Sequence, residues 1–268
     1  MDGTEPQFLD LGPQRGTPQG APRKIAFRYD EGSADAPAGI LWLSGFLSDM
    51  ASTKVSALAE WAAAKDLPMM RFDYSGHGVS SGKVADGAMG DWLEESIAIS
   101  ERMGDRPILL VGSSMGGWLS LLLARHLIET GKGDRLAGIV LIAPAWDMTE
   151  SLMWHRFTDE IRREIEEKGI YYQPSLYGDP YPLSKLLIEE GRTHLLAGSR
   201  FDPKCPVRIL QGMEDPDVPW RHALALVEIL AGGDVELDLI KDADHRLSRP
   251  QDIARLTRTI EGVLEEIA

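Results

Sequence analysis

Cysteine is almost missing from this chain: Cys205 is the one instance in 268 residues. No intrachain disulfide can form, and such usage suits a reducing compartment. Cys205 lies between Lys204 and Pro206, ahead of an apolar run and without a local partner, so a structural role is expected for it. Positive charge is also short, with 28 Lys and Arg against 42 Asp and Glu. The net charge of -14 argues against nucleic acid or an anionic membrane as the main partner, and solubility is enough to account for it. No apolar run approaches the length of a membrane span, so no integral membrane segment is expected. Residues 1–22 are rich in Gly, Pro and Gln and lack the apolar core of a signal peptide. Asp2, Glu5 and Asp10 would be out of place in a mitochondrial transit peptide. A flexible N-terminal segment and a cytoplasmic location are the expectation. With no H-E-x-x-H pair, no cysteine cluster and no G-x-x-x-x-G-K-[ST] loop, no metal and no cofactor are expected.

What is present is a repeating alternation. Short apolar runs at 24–29, 40–44, 69–73, 108–112, 138–143, 207–211 and 235–240 read as strands, several of them apolar throughout. Such runs suit parallel strands buried on both faces; residues 7–11 add a candidate edge strand. Helical patterns fall between them, over 55–63, 92–103, 115–130 and 220–230. A final helix carries Ile253, Leu256, Ile260, Val263 and Ile267 behind a Ser248-x-x-Gln251 capping pattern. Strand and helix in alternation predict an α/β fold, a mostly parallel central sheet with helices on both faces. Ligands in such sheets sit at the carboxyl ends of the strands. One stretch interrupts the rhythm. Residues 148–204 hold no clear strand but carry Trp154, Phe157, Tyr171, Tyr172, Tyr177 and Tyr181, a charged helix over 159–168 and a second helical piece from about 183 to 196. This reads as a helical cap inserted into a core of residues 23–147 and 205–268. Its aromatics form the cap's own small core, a wall over the site, or both; Trp154 and Phe157 are the candidates for substrate contact.

The chemistry is concentrated at Val111-Gly112-Ser113-Ser114-Met115-Gly116-Gly117. A strand, a G-x-S-x-G turn and a helix in that order form a nucleophile elbow, in which only small residues fit around the serine. A serine hydroxyl needs a base to take its proton. His245 is the candidate, in the polar loop after the last strand, because the base follows the serine and the acid in chain order. His126, His155, His194 and His222 lie on helices or in the insertion and read as structural, and His77 precedes the serine. The acid lies in Glu214-Asp215-Pro216-Asp217, after the penultimate strand. The spacing favours Asp215, with Asp217 next and Glu214 last. For an oxyanion, the backbone N–H groups of Met115 and Phe46 are the expected donors, Phe46 following Gly45 at the end of an earlier strand. Residues 73–80, rich in glycine, read as a sharp turn.

Four stretches carry a closer likeness: Leu43-Ser44-Gly45-Phe46-Leu47-Ser48-Asp49-Met50, Arg71-Phe72-Asp73-Tyr74-Ser75-Gly76, Val111 to Trp118, and Val218-Pro219-Trp220. With Glu166-Glu167-Lys168-Gly169 and Asp244-His245-Arg246, they resemble the α/β-hydrolase superfamily from about Ile40 onward. The resemblance is to its serine hydrolase branch of palmitoyl-protein thioesterases and acyl-glucuronide esterases. It implies an α/β-hydrolase fold with Ser114 as nucleophile, Asp215 as acid and His245 as base. It also implies cleavage of carboxylic esters or thioesters through an acyl-enzyme, on a small molecule or an acylated cysteine. Without a transit peptide, the chain is similar to a bacterial-type relative. Hydrolysis of a C–C bond on the same fold, or lipid binding without turnover, are the alternatives. Oligomeric state is not legible.

Overall fold

Apolar runs buried on both faces build the sheet. In the computed structural model, which describes residues 5–17, 20, 22–174 and 180–268, the strands along the chain are β1 (Gln7–Leu11), β2 (Arg23–Asp30), β3 (Gly39–Leu43), β4 (Met69–Phe72), β5 (Ile108–Ser113), β6 (Leu136–Ile142), β7 (Ile170–Gln173), β8 (Tyr181–Ser184), β9 (Val207–Gly212) and β10 (Val235–Ile240). Eight of them form one sheet in the order β1-β2-β4-β3-β5-β6-β9-β10. Pairing is parallel from β4 to β10, and β1 and β2 add an antiparallel edge. The helices are α1 (Thr53–Ala64), α2 (Met89–Glu101), α3 (Met115–Glu129), α4 (Asp159–Lys168), α5 (Lys185–Gly191), α6 (Trp220–Ile229) and α7 (Pro250–Glu266).

Side chains alternate across each strand, and the two faces of the sheet fill two cores. Leu41 and Leu43 of β3 point to one face, with Ile99 of α2, Leu119 and Leu122 of α3 and Leu226 of α6. Ile40 and Trp42 point to the other, with Leu58 of α1 and Ile260 of α7. Ile40, Leu41, Trp42 and Leu43 are each at most 2% exposed. Burial of such side chains is worth roughly 1.5–3 kcal/mol each, which is why so short a strand holds the sheet's centre. No helix among the described residues is long and apolar enough to cross a membrane.

Three expectations change. The segment 1–22, expected to be flexible apart from an edge strand at 7–11, forms that strand as β1 and also contributes a docked stretch. Gln14 is 3% exposed, and its amide donates to Ser75 Oγ and the Lys83 carbonyl while accepting from Lys83 N–H. Arg15 pairs with Asp91 at 2.7 Å. The partners lie some seventy residues away, so composition alone does not announce them. The insertion is not wholly helical, since β7 and β8 form an antiparallel hairpin and α5 is shorter than the apolar pattern implied. Tyr177 lies outside the described residues. The last helix is capped one residue later than its pattern suggested: Asp252 accepts from Arg249 N–H and from the Arg249 side chain, where Ser248 and Gln251 were expected.

The 73–80 turn holds the loop after β3 in place. Asp73 accepts from Met50 N–H at 2.7 Å and Val79 N–H at 2.9 Å, and Gly78 has a φ of +48° where a Cβ would strike that carboxylate. His77 is 3% exposed and packs edge-on against Phe46, Tyr74 and Trp92. Burial disfavours its charged form and lowers its pKa to about 4. The unfolded chain therefore takes up a proton between pH 6.5 and 4 that the native state refuses, so the histidine's contribution is intact above that window and is lost as pH falls through it. At most about 3 kcal/mol is involved. His77→Gln, which cannot titrate, is expected to flatten the pH dependence of stability over this window, as measured by urea denaturation at pH 7.5, 5.5 and 4.5. An unchanged slope would show that His77 does not carry it.

Candidate active site

The β5–α3 turn dictates the site. Ser114 has φ +54° and ψ −117°, a strained conformation for a residue with a side chain, of the kind that costs about 1–3 kcal/mol. The glycines around it are a matter of space. A Cβ on Gly112 would lie 2.3 Å from the Gly116 carbonyl oxygen, and one on Gly116 would lie 2.0 Å from that of Leu43. With those positions bare, β5 turns sharply into α3 and Ser114 stands at the carboxyl edge of the sheet.

Two later loops meet it there. His245, after β10, has its Nε2 3.1 Å from Ser114 Oγ and its Nδ1 2.7 Å from Asp215 Oδ2. A carboxylate can only accept, so Nδ1 carries the proton and Nε2 turns its lone pair to the serine. Asp215 lies in the β9–α6 turn and its side chain is fully buried. Its Oδ1 accepts from Asp217 N–H at 2.9 Å and Val218 N–H at 2.8 Å, and its Oδ2 also accepts from Gln211 Nε2 at 3.2 Å. Asp215 is thus the carboxylate brought to His245. Glu214 and Asp217 are exposed, and Asp217 supports Asp215 through its backbone. Asp215, Asp217 and His245 could each offer a ligand atom within 4.8 Å of the others, but both nitrogens of the imidazole are already engaged by Ser114 and Asp215.

The β3 turn closes against the elbow. A Cβ on Gly45 would sit 3.3 Å from both Ser113 O and Ser114 Cβ, so the backbone leading to Phe46 passes directly over the serine. The Phe46 ring is held among His77, Trp92 and Tyr181. Met115 is the first residue of α3, where helix geometry leaves the N–H without an intrahelical acceptor.

Above the three side chains lies a cavity of about 1030 Å³. Its floor includes Trp42, Gly45, Phe46, Ser113 and Ser114, and the insertion supplies an apolar wall of Met148, Leu152, Met153, Phe157, Ile161 and Leu183. Phe157 thus lines the cavity. Trp154 does not line it: its ring lies between the guanidinium groups of Arg162 and Arg192, 5.6 and 4.9 Å from the centroid, and belongs to the insertion's own framework. The remaining histidines serve elsewhere. His222 stacks on Trp146 at 4.8 Å and donates to its carbonyl, and His155 and His194 pair with Glu150 and Glu190. Cys205 is partly buried, and burial pushes its thiol up to about 12, which leaves it unreactive.

Sequence reasoning missed Lys54, whose ammonium reaches into the cavity wall and donates to Ser113 Oγ at 3.0 Å. A lysine at a helix start ordinarily reads as solvated, and the one hint is that a cation there opposes the helix dipole. It also missed Leu152, Met153 and Ile161, which no motif marks.

Comparison with known proteins agrees with this architecture. Residues 39–256 match the model of the alpha/beta hydrolase family. The mitochondrial palmitoyl-protein thioesterase ABHD10 of Homo sapiens is 32% identical over 232 residues, covering 86% of this chain and 74% of that protein; the Rattus norvegicus protein of that name is 34% identical over 232 residues. Among solved structures, a putative hydrolase from Agrobacterium vitis S4 superposes with a TM-score of 0.89 at 41% identity, covering 97% of this chain and 98% of that one. Alpha/beta hydrolase domain-containing protein 10 from mouse does so with a TM-score of 0.83 at 30% identity, covering 99% and 100%. The chain belongs to the α/β-hydrolase family, and within it to the ABHD10-like group.

Proposed function

We propose that this protein is a serine hydrolase that cleaves acyl thioesters or esters through an acyl-enzyme. The observation that carries this reading is the continuous hydrogen-bond chain from Ser114 through His245 to Asp215. His245 removes the Ser114 proton as Oγ attacks the carbonyl carbon. The oxygen's negative charge is received by the N–H groups of Phe46 and Met115, oriented before the reaction begins and therefore free of reorganisation cost. Asp215 holds the imidazole in the required tautomer and stabilises the imidazolium without taking the proton. That proton then leaves with the thiol or alcohol, and water attacks the acyl-enzyme by the same route in reverse. No metal or cofactor enters these steps.

The cavity favours an acyl group of some length. Its volume of about 1030 Å³ is at the upper end of the roughly 300–1,000 Å³ usual for small-molecule sites. The apolar wall lies on the cap side, so the acyl chain packs beneath residues 148–204 while the reacting carbonyl meets Ser114. Relatives named as palmitoyl-protein thioesterases fit the same substrate class, an acylated cysteine included. A cytoplasmic location remains our reading from composition. Lipid binding without turnover is disfavoured by the strained Ser114, since a carrier has no use for that strain.

Three outcomes test the reading. A fluorophosphonate probe should label Ser114, located by peptide mapping, and Ser114→Ala should lose roughly 10⁴- to 10⁶-fold in kcat on acyl thioesters and esters; turnover by Ser114→Ala at the wild-type rate would sink the mechanism. Asp215→Asn should fold normally and lose on the order of 10⁴-fold in kcat, whereas Asp217→Asn should stay within a few-fold of wild type; the reverse ranking would reassign the acid. In a graded series of acyl thioesters, Phe157→Ala should move the chain-length optimum and Trp154→Phe should leave it in place.

A further inference from the structure

Lys54 is the anomaly of the cavity wall. It is the second residue of α1, at the positive end of the helix, where a cation is disfavoured. Its side chain nevertheless turns inward and is 8% exposed, although lysine seldom gives up the hydration of its ammonium. The bond it makes there is specific: Nζ donates to Ser113 Oγ at 3.0 Å, across 59 positions of chain. Ser113 is the residue before the nucleophile, and Lys54 is carried by the segment that begins at Gly45 and Phe46. The two halves of the oxyanion site thus come from separate segments, and this bond ties one to the other.

We infer that Lys54 is a positioning residue for the acyl-transfer reaction: its ammonium, bonded to Ser113, holds the β3–α1 segment against the nucleophile elbow, so that the N–H groups of Phe46 and Met115 converge on one oxygen. The inference rests on the serine hydrolase reading above. A hydrogen bond from an ammonium is roughly twice as strong as one between neutral groups, so the tether depends on Lys54 keeping its proton. Burial works against that proton and lowers the lysine to about 8, while Asp244, Asp252 and Asp215 favour its retention. The charged groups that act on it are Asp244 in the β10–α7 loop, Asp215 in the β9–α6 turn, and Asp252 of α7, whose carboxylate is shared with Arg249. Raising the pH through 8 therefore weakens the tether, and lowering it restores the tether.

The experiment is the pH profile of kcat and KM for acyl thioester hydrolysis by wild type, Lys54→Met and Lys54→Arg, with thermal unfolding of each. Wild type is expected to lose kcat above about pH 8. Lys54→Met should show a kcat lowered by up to about 100-fold, the scale of an ångström's misplacement of reacting groups, with KM little changed and the alkaline loss gone. Its Tm should be equal or higher, because a buried cation costs stability that an apolar side chain of similar length does not. Lys54→Arg, whose charge does not titrate, should recover part of kcat and keep it above pH 8; it carries the test if Lys54→Met fails to fold. An alkaline loss of unchanged midpoint in either variant, or a lowered Tm with unaltered kcat, would overturn the role. Fluorophosphonate labelling separates the two claims. If Ser114 is labelled while the profiles superimpose on wild type, Lys54 alone is misassigned; if Ser114→Ala retains turnover, both fall.

Discussion

The site depends on one steric constraint, the tightness of the β5–α3 turn. Gly112 and Gly116 leave room for the Leu43 and Gly116 carbonyls that side chains would strike, and only then can Ser114 take a φ of +54°. That strain is sustained because β5 lies between β3 and β6 in the middle of the sheet, with strand residues 108–112 fully buried. The core holds the turn, and the turn presents the hydroxyl. The rest of the site is arranged around that hydroxyl.

Around that point the polar groups are satisfied in sequence. Asp215 is buried yet receives two backbone N–H groups on one oxygen and His245 and Gln211 on the other, so its charge is met on both sides. His245 is held by Asp215 with its Nε2 3.1 Å from Ser114 Oγ. On the opposite side the Asp73 carboxylate fastens Met50, which holds the loop that carries Phe46. Polar contacts extend this rigidity along α2: Arg23 at the start of β2 meets Asp91, Glu94 and Glu95, and Glu190 of α5 accepts from Gly90 N–H. The Glu190 contact joins the insertion to the core at a distance from the chemistry. Burial outweighs the pairing at Glu95, whose carboxyl is raised to about 7.

The insertion divides into framework and wall. Trp154, held by Arg162 and Arg192, and Tyr172, which is 59% exposed, take no part in lining the cavity. Phe157, Tyr181 and Leu183 do. The hairpin of β7 and β8 makes this division possible, since it turns Tyr181 and Leu183 back toward the site while α4 keeps its charged face outward. Aromatic content marked the segment, but not which ring would face which way.

The sequence by itself determined the alternation of strands and helices, the elbow around Ser114 and the two loops that bear Asp215 and His245. Each of these is local, because apolar runs, glycine spacing and chain order act over a few residues. Tertiary structure decided what depends on distant partners. It buried the Asp215 side chain with its Oδ2 2.7 Å from His245 Nδ1 and left Asp217 exposed. It docked Gln14 on Ser75 and Lys83, turned Trp154 away from the cavity, and buried Lys54 beside Ser113. A carboxylate, an amide, an indole and an ammonium each have several possible partners in an unfolded chain, and only the packed sheet determines which of them is within reach.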